Sequence, residues 1–144
     1  MAMKHIASVL SLAGVACVCT LVPQPLQAQA CQDEESMVVE YKKGLVELID
    51  ATRKETLPDF EKAYHQKAGV TKLGLTASMV DGLVECLDKA TQDPAAKDQA
   101  DALKAKRESY GKLKEKLEAD RKSLKEARDP KAAKSVLAKL EYVN

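Results

Sequence analysis

Two cysteines, Cys31 and Cys86, stand 55 residues apart, and they are the pair left once an N-terminal export signal is removed. The signal has three parts. Residues 1–5 carry Lys4, residues 6–22 form an apolar run of 17 residues, and Pro23-Gln24-Pro25 breaks the run ahead of Ala28-Gln29-Ala30, the small-residue pattern that a signal peptidase reads. Seventeen residues lie at the short edge of what spans a bilayer, and the proline-rich exit favours cleavage over anchoring. Leu12-Ala13-Gly14 resembles the opening of a lipid-attachment signal, but Val15 stands where the cysteine belongs. At Cys31 the third position back is Ala28, where such signals carry leucine, so lipid attachment there is the lesser alternative.

This reading divides the chain into a cleaved segment, 1–30, and a single domain, 31–144, which is exported to the periplasm or secreted. Cys17 and Cys19 leave with the signal. In an oxidising compartment the remaining even pair is expected to form a Cys31–Cys86 disulfide. The two are not spaced as C-x-x-C, which argues against a catalytic redox pair.

Charge excludes one broad class of partner. The signal holds one basic residue and no acidic one, so the mature chain carries 22 of each sign. General nucleic-acid binding draws on a basic excess that displaces counterions, and none exists here. The signs are nevertheless unevenly placed, with a balance of −5 over residues 31–94 and +5 over 95–144. Complementarity between two halves of one bundle accounts for this, and a basic surface for an anionic partner is the sharper alternative.

No segment is rich in β-formers and none resembles a Gly/Ser linker, so the fold class is all-α, a small bundle of about five helices. The first helix spans about 34–56. Val38, Tyr41, Leu45, Leu48 and Thr52 form its stripe, and Val39, Val46 and Ile49 widen it. Pro58 opens a short second helix through Phe60 and Lys67, Gly69 and Gly74 bracket a turn, and a third helix covers roughly 76–90. A bond from Cys31 to Cys86 ties the entrance of the first helix to the exit of the third. Helices 1 and 3 are therefore expected to form an antiparallel hairpin.

Two Asp-Pro steps, at 93–94 and 129–130, supply a capping carboxylate and a proline at the first helical position. The fourth helix, 94–128, would be long and highly charged. Ala96, Leu103, Tyr110, Leu117 and Leu124 recur every seven residues, and Leu113 and Ala127 sit on the complementary row. Gln99, Lys106 and Asp120 interrupt that second row, so the seam is a poor coiled coil taken whole. Ser109 and Gly111 mark Tyr110 as the expected place for a bend or a close helix contact, with part of the helix projecting. A last helix, 130–141, packs back on it.

Catalytic groupings are sparse. His65 is the one histidine of the mature chain, four residues from Glu61, a spacing compatible with a metal but supplying two mixed ligands. Ser78 and Ser109 lie in helical patterns without the strained turn of an activated nucleophile, and no glycine-rich phosphate loop is present. No cofactor, metal or catalytic residue is expected. The chain thus reads as an exported, non-enzymatic helical protein: a protein-binding, adaptor or structural module of the cell envelope. Its partner, another protein or a second copy, would be met through the 94–128 helix at Tyr110, Leu113, Leu117 and Leu124, with no nucleic acid and no stable membrane anchor. The alternative is a carrier that encloses a small apolar ligand against Phe60 and Tyr64. A metal protein centred on His65 stands third.

Overall fold

The computed structural model describes residues 26–54 and 58–142; residues 1–25, which hold most of the expected 1–30 export signal, and the side chain of Phe60 lie outside the described residues. Among the described residues every regular element is helical. They are α1 (Leu26–Lys54), α2 (Asp59–Gln92), a 3-10 segment (Pro94–Gln99), α3 (Ala100–Glu126) and α4 (Pro130–Lys139). No helix among them is long and apolar enough to cross a membrane.

The all-α class is thus observed, as four α-helices and one 3-10 segment. The separate second and third helices are one rod, and Gly69 and Gly74 lie inside it instead of in a turn. Packing is the reason. A Cβ at residue 69 would come within 2.7 Å of Leu124 Cδ2 and 2.8 Å of Leu137 Cδ2, and one at residue 74 would meet the Arg121 guanidinium at 2.8 Å. Glycine costs roughly 1 kcal/mol in a helix interior, and here it admits a neighbouring helix. Leu73, Thr76, Ala77, Val80, Leu83 and Leu87 continue one buried face straight through the stretch.

α2 is the central element: α1, α3 and α4 all pack on it. α1 meets it as an antiparallel partner, with Cys31 bonded to Cys86 (Cα–Cα 5.9 Å), Gly44 beside the Lys72 amino group, and Thr52 hydrogen-bonded to His65. The partner of α1 is therefore the whole of α2, not a separate third helix. α3 runs antiparallel to α2 on another side. Asp88 receives Arg107 at 2.8 Å, Asp81 pairs with Lys114, and Gly74 seats Arg121, so the contacts step by seven on both helices. Exposed pairs like these contribute little stability, but they mark the register.

The fourth helix differs from expectation at its start and at Tyr110. Its first six residues form the 3-10 segment, and α3 runs without interruption through Tyr110. Nothing lies within 4 Å of where a Cβ on Gly111 would stand, so that glycine serves no close contact. α3 is held along α2 from Arg107 to Arg121. The first helix also differs. It begins at Leu26, ahead of residue 34 where it was expected to start, and Val39 is 55% exposed.

Helix ends are closed by side chains, as the Asp-Pro steps lead one to expect. Asp93 Oδ1 accepts from Ala95 N and Asp129 Oδ1 from Ala132 N, each at 2.7 Å. Gln66 Nε2 donates to Leu124 O and Ala127 O, satisfying carbonyls that the end of α3 leaves open. Arg53 does the same for α4, donating to Ala138 O and Leu140 O at 2.8 Å each. A cation at that helix terminus also suits its dipole.

Candidate functional site

α4 fills the angle between α1 and α3, and nothing among the described residues fills the corresponding seam on the other side of the hairpin. That outward face of α1 and α2 is the candidate site. Val38, Leu45 and Ile49 of α1 point into the core, so Met37, Tyr41, Gly44 and Leu48, about a quarter-turn round the helix, line the outer seam. The facing wall on α2 is Tyr64, Ala68, Thr71 and Leu75. Met37 is 44% exposed, Tyr41 38%, Leu75 45% and Tyr64 68%. Isolated exposed apolar side chains are ordinary, whereas a row of them along one seam makes that seam the candidate surface.

Two shallow depressions adjoin along this seam. One, of about 340 Å³, is bounded by Glu40, Tyr41, Gly44, Lys72 and Leu75. The other, of about 380 Å³, is bounded by Tyr64, Lys67, Ala68, Thr71 and Lys72. Gly44 has a local role here. A Cβ there would stand 3.3 Å from Lys72 Nζ, so its absence lets the lysine lie across the seam.

The residues expected to bind a partner through the long helix are dispersed. Leu117 and Leu124 are wholly buried in the core, and Tyr110 and Leu113 are half-buried against it. Of the pair expected to hold an apolar ligand, Tyr64 is on the outward seam and the side chain of Phe60 lies outside the described residues. Met37, Tyr41 and Leu75 were not expected at a surface. On a helical wheel Met37 and Tyr41 fall off the Val38–Leu45 axis, and that offset is the signal sequence patterning carries for them. Leu75 becomes legible once α2 is drawn as one helix.

His65 is bound into the hairpin. The hydroxyl of Thr52, itself buried, donates to Leu48 O at 2.8 Å, and its single proton is thereby used. The 3.0 Å contact with His65 is then a donation from Nδ1–H to the Thr52 oxygen. Among the described residues no group of three His, Cys, Asp or Glu side chains is placed to hold a metal.

Polar clusters hold α1 and the C-terminal segment to α3. Glu35 accepts from Lys106 at 2.5 Å and from Tyr110 at 2.9 Å. Burial on its own would raise the Glu35 carboxyl, but the hydrogen bonds from Lys106 and Tyr110 and the lysine charge outweigh it and hold it below the ordinary carboxylate value. Burial, reinforced by the bond to Glu35, pushes the Tyr110 phenol up to about 12. Tyr142 donates to Asp120 at 2.5 Å, beneath Lys116 at 4.5 Å from its ring, and burial with that bond raises its pKa further still.

A phenol whose pKa is raised on folding favours the folded state fully below its unfolded value near 10, and that contribution is lost as pH rises through the folded value. Stability is therefore expected to fall across about pH 10–12, the window set by Tyr110. Denaturant titrations at stepped pH test this: the Tyr110→Phe, Tyr142→Phe double variant should show a shallower fall, and an unchanged slope would count against both bonds.

The sequence matches no known family model, and neither a curated protein nor a solved structure resembles it at a significant level.

Proposed function

We propose that the mature chain is an exported, non-enzymatic protein-binding module of the cell envelope, and that it binds through the outward α1–α2 face. The observation that carries this is the exposed row Met37, Tyr41, Leu75 and Tyr64 on a hairpin closed by a disulfide. A covalently closed helix pair presents such a row already ordered, which lowers the entropic cost of binding. Leu117 and Leu124, as core residues, support α3 as the brace behind this face. Export rests on the signal pattern, and the disulfide is the chemistry an oxidising compartment favours.

Photo-crosslinking in the native envelope tests the reading. A crosslinking amino acid at residue 41 or 75 should give protein adducts, whereas one at Lys122, exposed on α3, should not. Adducts as abundant at residue 122 as at the two seam positions would overturn it. One observation favours a second reading, a carrier of a small apolar ligand: the depression beside Tyr64 and Ala68 falls in the volume range of small-molecule sites. In that case an apolar compound should copurify with the protein and be lost in Tyr64→Ala.

A further inference from the structure

We infer that the face built by α4 and its two flanking helices adsorbs reversibly to an anionic phospholipid surface. This face lies across the hairpin from the seam proposed for protein binding, and its role does not depend on that one. Residues 130–139 of α4 hold Lys131, Lys134 and Lys139 and no acid. The helix turns Ala133 and Leu137 into the core, which leaves Lys131 and Lys139 exposed on its outer side.

Both neighbouring helices add to them. Asp50 of α1 lines a small depression with Leu140, Glu141 and Tyr142, and exposed Lys43 stands two turns ahead of it on the same edge. On α3 the Lys116 ammonium lies over the Tyr142 ring, and exposed Lys112 is one turn further along. Lys43, Lys112, Lys131 and Lys139 make no ion pair among the described residues. Of the acids on this side, Glu35, Asp50 and Asp120 are already paired with Lys106, Arg53 and Lys116, and Glu141 remains as an exposed counter-charge. The face therefore stays net positive once its internal pairs are counted. The outward α1–α2 side, by contrast, mixes Lys67, Lys72 and Lys89 with Glu40, Glu47 and Glu85.

The chemistry of these cations fits an extended anionic layer better than a discrete anion. All four are lysines, flexible point charges, whereas recognition of one phosphate or carboxylate favours the planar fork of arginine. Arg53, the arginine beside α4, is committed to the carbonyls of Ala138 and Leu140. The N-terminus of α4, a natural seat for a single anion, is closed by the Asp129 carboxylate. A single nucleic-acid strand would need rings to stack on, and here Tyr142 is buried and Tyr110 half-buried. Lysines spread over three helices match a layer of anionic headgroups. Adsorbed in this way, the chain holds the row of Met37, Tyr41, Leu75 and Tyr64 on the side away from the bilayer.

Vesicle cosedimentation of the mature, disulfide-bonded chain tests the inference. Vesicles of phosphatidylglycerol and phosphatidylcholine in equal parts should carry the protein down at low ionic strength. Phosphatidylcholine alone should not, and added salt should release the bound protein. Each lysine near such a surface is worth roughly fivefold in partitioning, so Lys43→Gln, Lys131→Gln, Lys139→Gln together should weaken binding about a hundredfold. The same loss of charge on the far side of the bundle, Lys67→Gln, Lys89→Gln, Lys104→Gln, should change it less than about threefold, because the attraction fades within a Debye length. Equal partitioning into the two kinds of vesicle, or equal losses in the two triple variants, overturns the inference. Capture of soluble polyglutamate or single-stranded DNA in preference to the vesicles also overturns it, because the partner is then a soluble polyanion.

Discussion

Replacing Cys31 and Cys86 together is expected to lower the free energy of unfolding by about 4 kcal/mol, the chain-entropy value for a 55-residue separation. Domains of this size are stable by about 5–15 kcal/mol in all, so the loss is a large fraction. The structure explains why no other contact replaces the bond. The start of α1 lies beyond the reach of α4, which packs near Arg53, and Glu35 is the residue through which it makes polar contact with α3, at Lys106 and Tyr110. Cut loose, that end of α1 should fray before the rest. Urea unfolding of the oxidised protein against the Cys31→Ala, Cys86→Ala variant reads the energy, with alanine avoiding a buried hydroxyl at residue 31. Amide exchange should rise most over 31–42. A loss under about 1 kcal/mol would mean that packing holds the hairpin without the bond.

Leu117→Ala and Leu124→Ala are each expected to cost about 2–5 kcal/mol, the range for removing a leucine from a core that cannot collapse fully. Both side chains are completely buried, and Leu124 lies against Leu137 at the point where Gly69 lets α3 and α4 approach α2. Tyr64→Ala, by contrast, should stay within about 0.5 kcal/mol, because that ring is exposed. Chemical denaturation of the three variants separates two roles for the long helix. If its apolar row were a recognition surface, truncating Leu117 would leave stability intact; a core row puts Leu117→Ala with Leu124→Ala, both far more damaging than Tyr64→Ala.

Much of this fold was legible in residues with local, directional chemistry. Asp93 and Asp129 announce their helices because a carboxylate before a proline has one use there, and both accept the backbone N–H they should. Cys31 and Cys86 could be paired because two thiols admit one partner each. Gly69 and Gly74 misled because glycine signals either a turn or a close helix contact. The choice depends on Leu124, Leu137 and Arg121, residues 47 or more positions away. The site was less legible for a related reason. The heptad row on α3 is equally good at binding a partner and at binding α2, and tertiary packing assigns it to α2. Once it is so used, the surface apolar row has to be sought off-axis on α1, at Met37 and Tyr41.

The most direct test of the account is a non-reducing peptide map, with thiols alkylated, of the protein recovered from outside the cytoplasm. The account predicts a mature chain beginning at Cys31, whose first peptide is joined to the one containing Cys86, with neither sulfur alkylated. A chain that carries alkyl groups on both cysteines would contradict it, because the ordered, covalently closed face on which the binding role stands would not exist.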